Sequence, residues 1–111
     1  MNNNGDYPKK VVITIVGDTL GDIFLFSRKN YTIGVINTVS YSVSEATDLK
    51  NKTITETYSF KSADEYQEFL ETSTVYNVDC KRNMEVFASE KAKEDFTNLR
   101  QKLNIEVTYE Y

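Results

Sequence analysis

Thr53-Ile54-Thr55-Glu56-Thr57-Tyr58-Ser59-Phe60-Lys61-Ser62-Ala63-Asp64-Glu65 is the stretch on which the fold turns, because a strand signal and a helix signal meet inside it. Up to Phe60 the residues alternate, with Ile54, Tyr58 and Phe60 on the core side, the period of a half-buried strand. From Ser62 the pattern becomes helical. Ser62 followed three residues later by Glu65 is a capping box, in which a hydroxyl and a carboxylate take up amide hydrogens left unpaired in the first turn, an effect worth about 1 kcal/mol. Ala63, Tyr66, Phe69 and Leu70 then share one face, and the pattern fades near Thr72-Ser73-Thr74.

Downstream, Val75, Tyr76 and Val78 read as extended, Cys80-Lys81-Arg82-Asn83 as a turn and Met84-Glu85-Val86-Phe87 as another strand. Ser89 caps a second helix whose Ala92, Phe96, Leu99 and Leu103 form an apolar stripe ending at Asn104. Ile105, Val107, Tyr109 and Tyr111 alternate with Glu106, Thr108 and Glu110 in an amphipathic last strand. Phe60-Lys61-Ser62 and Phe87-Ala88-Ser89 echo each other, and Phe69 and Phe96 share the same offset. Two strand-helix-strand units in tandem give the ferredoxin-like β-α-β-β-α-β order over residues 53–111.

Upstream, the β-branched run Val11-Val12-Ile13-Thr14-Ile15-Val16 reads as a buried strand. Gly17-Asp18-Thr19-Leu20-Gly21-Asp22 reads as a hairpin loop returning through Ile23-Phe24-Leu25-Phe26. From Tyr31, the apolar odd positions Ile33, Val35, Val39, Tyr41 and Val43 predict a long strand, and Thr47-Asp48-Leu49-Lys50-Asn51 turns it into a second hairpin. The expected architecture is therefore α+β: a mainly antiparallel sheet with two helices on one face and N-terminal β-hairpin strands preceding the ferredoxin-like part. Residues 1–8 are expected to form a flexible arm and residues 9–111 a single domain.

Composition narrows the chemistry. The chain has no histidine, which removes the commonest general base, zinc ligand and partner of a serine or cysteine nucleophile. Four glycines form neither a P-loop nor a dinucleotide fingerprint. Cys80 has no imidazole to activate it and reads as a small apolar residue. No run approaches the roughly 20 apolar residues of a membrane span, and the first residues show no signal region, so a cytoplasmic protein without membrane attachment is expected. Asp18 and Asp22, two carboxylates after an apolar strand, are the best candidate for a divalent-cation site. A plain turn accounts for them, and no metal, cofactor or catalytic residue is assigned.

The remaining signals are surface signals. Residues 1–61 carry six acids and seven bases, net +1, whereas residues 62–111 carry eleven acids and six bases, net −5. Asp64, Glu65, Glu68 and Glu71 put four acids on the first predicted helix with no base among residues 62–73, a negative face suited to a basic protein. Tyr109 and Tyr111, two of eight tyrosines, end a strand where a ring with a polar tip suits an interface. Lys9, Lys10, Arg28, Lys29, Lys50, Lys52, Lys81 and Arg82 lie near strand ends and would bind anions only if they converged.

The expectation is a non-enzymatic protein-binding module, in the manner of a small acidic inhibitor or immunity-type antagonist, that docks on a basic protein through Asp64, Glu65, Glu68, Glu71, Tyr109 and Tyr111. Two alternatives stand beside it. One is a nucleic-acid or nucleotide-binding module on a ferredoxin-like sheet, disfavoured because the basic and glycine-led aromatic signature of such sheets is missing. The other is a structural subunit that forms a homo-oligomer through an exposed strand edge.

Overall fold

The computed structural model describes residues 6–73 and 90–111, with the backbone alone for residues 29–37. Its elements are β1 (Lys10–Val16), α1 (Leu20–Asn37), β2 (Ser42–Asp48), β3 (Thr53–Ser59), α2 (Ala63–Thr72), α3 (Glu90–Lys102) and β4 (Asn104–Glu110). The strands form one antiparallel sheet in the order β2-β3-β1-β4. The β-branched run of β1 occupies the centre, and the last strand pairs directly with the first.

Along β1 burial alternates: Val11, Ile13 and Ile15 are fully buried, while Val12, Thr14 and Val16 are half-buried on the other face. Ile54 and Tyr58 of β3 share the buried side, where Ile23 and Phe26 of α1, Phe69 of α2, and Phe96 and Leu99 of α3 close over them in one cluster. Removing each such side chain from water is worth about 1.5–3 kcal/mol, so this single face supplies most of the driving force. The α+β class, the antiparallel sheet and the helices on one face agree with expectation. Phe26 stacks on Phe96 at 5.1 Å, fixing α1 against α3. Tyr41 meets Tyr58, Phe60 and Phe69 edge-on, packing the α1–β2 connection between β3 and α2.

The N-terminal hairpin is corrected. Ile23-Phe24-Leu25-Phe26 belongs to α1, and the alternation from Tyr31 to Val35 lies within the same helix, so β2 begins only at Ser42. Thr19 accepts the Asp22 N–H on its Oγ1 at 3.2 Å, so the Gly17–Asp22 segment is a helix entry and not a hairpin loop. The strand-helix-strand-strand-helix order exists, but it starts at β1, with Phe60 and α2 in its second half rather than its first. The expected strands at Val75–Val78 and Met84–Phe87, the turn with Cys80 and the Ser89 cap lie outside the described residues. Within the expected arm, Tyr7 packs against the core and Pro8 is fully buried.

Gly17 is required by close approach. A Cβ there would lie 2.8 Å from both Ile23 Cγ2 and Leu103 Cδ2, where the entry of α1 meets the exit of α3.

Candidate functional site

At one end of the acidic helix Ser62 caps as expected, while the Glu65 carboxylate reaches past the cap to the preceding residue's N–H. Ser62 Oγ accepts the Glu65 N–H at 3.2 Å, and Glu65 Oε1 accepts the Lys61 N–H at 2.9 Å. Glu68 Oε1 accepts the Ser40 N–H at 2.7 Å, tying α2 to the α1–β2 connection. Of the predicted docking acids, Glu65 and Glu68 carry these structural hydrogen bonds, and Asp64 and Glu71 lie on exposed positions.

Tyr109 and Tyr111 are 45% and 78% exposed at the end of β4. Tyr109 pairs with Val11 in register and so points to the helix side of the sheet, towards Tyr66 of α2. Partial burial, then the neighbouring Tyr109 and Tyr111 phenols, raise the Tyr66 pKa above that of an ordinary tyrosine. Tyr66 in turn rests edge-on against Phe60 at 5.4 Å. The fold thus brings the predicted tyrosines near Tyr66 of α2. Further along β4, Ile105 and Val107 floor an open groove of about 490 Å³ whose other wall is Thr97, Arg100 and Gln101 of α3.

Sequence reading missed a polar cluster inside the sheet. Glu45 and Glu56 are directly paired between β2 and β3 on the helix side, and Glu56 is only 3% exposed. Ser27 Oγ donates to Glu45 Oε2 at 2.6 Å and lies 3.5 Å from Glu56 Oε2, and the Tyr58 hydroxyl donates to Glu56 Oε1 at 2.7 Å. Burial and the Glu56 charge push the Tyr58 phenol well above its usual range. The signal was present, since Glu56 is in phase with Ile54 and Tyr58. The carboxylates hold hydroxyls of their own core here, and among the described residues no group of three His, Cys, Asp or Glu is placed to share a metal ion. Asp18 is exposed and Asp22 occupies the first turn of α1.

The face of the sheet away from the helices is polar and small. Its rows run Ser44, Thr57, Val12, Thr108 and Ala46, Thr55, Thr14, Glu106, and no aromatic residue falls in any row on that side. Base stacking of the kind that single-strand-binding sheets use has no platform there. Lys10 and Lys52 sit at opposite ends of the central strands, about 20 Å apart at 3.3 Å per residue, so these basic pairs do not converge. Among the described residues no helix is long and apolar enough to cross a membrane. The chain matches no protein-family model, and comparison with curated proteins and with solved structures yields no match.

Proposed function

We propose that the chain is a non-enzymatic protein-binding module that engages its partner along β4 and the tyrosines at its end. The observation that carries this reading is the exposure of Tyr109 and Tyr111 on an edge strand, beside a groove floored by Ile105 and Val107. Broad rings that combine apolar area with a hydroxyl are what protein interfaces enrich. A photoreactive phenylalanine analogue replacing Tyr111 should form protein adducts in cells, and the same probe replacing Thr55 on the open sheet face should not. Equal adduct yields at the two positions would overturn the reading.

A basic partner is favoured by the exposed Asp64 and Glu71 on a helix segment without lysine or arginine. Because Glu65 and Glu68 are engaged within the fold, the test confines charge reversal to Asp64→Lys. Adducts at Tyr111 that persist undiminished in that variant would remove the basic-partner version.

A further inference from the structure

Strand β2 is built unlike the other three. All seven of its residues are exposed, Val43 among them at 54%, whereas β1 and β3 bury every second residue and β4 packs Ile105 and Val107 against the core. Apolar burial is what makes a strand costly to remove from a sheet, and β2 supplies none. It is held by its ladder with β3 and, from α1, by the Ser27 hydroxyl, which donates to Glu45 Oε2 at 2.6 Å. The ladder itself sets Glu45 directly opposite Glu56, a like-charge pairing that weakens a sheet. Both neighbours of β2 are anchored without it. Tyr41 is buried, with its hydroxyl 2.8 Å from Thr72 Oγ1, and Ile54 and Tyr58 of β3 stay within the core cluster.

We propose that β2 is a releasable strand: residues 42–48 leave the sheet as one unit while β1, β3, β4 and the helices stay folded, and the Ser27 to Glu45 hydrogen bond is the catch that opposes release. Because β2 and β4 are opposite edges of the sheet, this device stands apart from the binding reading above. Release bares the outer edge of β3. The Phe60 N–H bonds to the Lys9 carbonyl and the Lys52 carbonyl accepts the Gly17 N–H, so even-numbered residues of β3 turn their peptide groups towards β1 and odd-numbered ones towards β2. Thr55, opposite Ala46, and Thr57, opposite Ser44, therefore lose their partners when β2 leaves, while Glu56 and Tyr58 keep theirs on β1.

The test is native-state amide exchange of the full chain, read by NMR with reclosing fast relative to chemical exchange. Thr55 and Thr57 amides should exchange at least about tenfold faster than those of Glu56 and Tyr58, an alternation along one strand, and should respond less to low urea. Glu45→Ala removes the catch and should speed exchange at Thr55 and Thr57 roughly 5- to 100-fold, and Glu45→Gln, which keeps an acceptor oxygen, should restore part of the protection. Gly17→Ala strains the junction of Ile23 and Leu103, which stays folded in the released form. It should therefore speed exchange at Glu56 and Tyr58 and leave Thr55 and Thr57 unchanged. Even protection along β3 in the wild-type chain overturns the proposal without recourse to any variant. So does a Gly17→Ala variant in which all four amides accelerate together, or a Glu45→Ala variant that leaves Thr55 and Thr57 as they were.

Discussion

The Tyr58 hydroxyl donates a 2.7 Å hydrogen bond to Glu56 Oε1, two residues back along the same strand and on the same buried face. Ser27 reaches the other oxygen of that carboxylate at 3.5 Å from α1 while holding Glu45 at 2.6 Å, so a helix and two strands share one polar joint on the helix side of the sheet. A carboxylate buried this deeply is tolerable only while such donors remain.

Alkaline pH should loosen the fold through Tyr58. A phenol whose folded pKa is raised contributes stability that is fully present below its unfolded value, about 10, and is lost as pH climbs towards the folded value. Tyr66 acts in the same direction. Urea unfolding between pH 8 and pH 11 should show wild-type stability falling above about pH 10. Tyr58→Phe should cost about 1–3 kcal/mol at neutral pH and flatten that fall. A Tyr58→Phe profile parallel to wild type would contradict the assignment.

Gly17→Ala should destabilise by about 1–3 kcal/mol, because the added methyl group must displace both Ile23 and Leu103. Thermal unfolding provides the measurement, and Gly21→Ala is the control, since a Cβ there meets only the Thr19 hydroxyl at 4.0 Å.

Among the described residues, Thr38 at φ 53° after α1 and Lys52 at φ 50° before β3 adopt left-handed backbone geometry that favours glycine. Thr38 is the more costly, being β-branched. Thr38→Gly should raise stability by about 1 kcal/mol and Lys52→Gly by about 0.5 kcal/mol, read from denaturant midpoints at unchanged slope.

Single-stranded oligonucleotides should not bind. With hydroxyls and short aliphatics on the open face, and Lys10 and Lys52 at opposite strand ends, fluorescence anisotropy at low salt should show no saturable signal. Saturable, salt-sensitive binding would restore the nucleic-acid alternative.

Strands β1, β3 and β4 and helices α2 and α3 were legible because their apolar spacing and the Ser62 cap agree with their burial. α1 was not legible. Its Ile, Phe, Val and Thr residues have the propensities of strands, and only Thr19 with Asp22 marks a helix start. Packing of Ile23 and Phe26 against the sheet and α3 outweighs that local preference. At the candidate site, the exposure of Tyr109 and Tyr111 could be anticipated from their place at the strand end. The structural use of Glu68 depends on Ser40, distant in sequence, and could not be read from spacing, whereas Glu65 was legible in the capping pattern and Glu56 in its phase with Ile54 and Tyr58.

The pairing of β1 with β4 sets the order in which the molecule can mature during synthesis. While a ribosome is still making residues 104–110, Val11, Ile13 and Ile15 have a strand on one flank only, and the nascent chain shows an apolar, strand-prone edge to chaperones. Closing that flank joins residues almost a hundred positions apart, a long-range step that should make completion of the sheet the slow event in biogenesis.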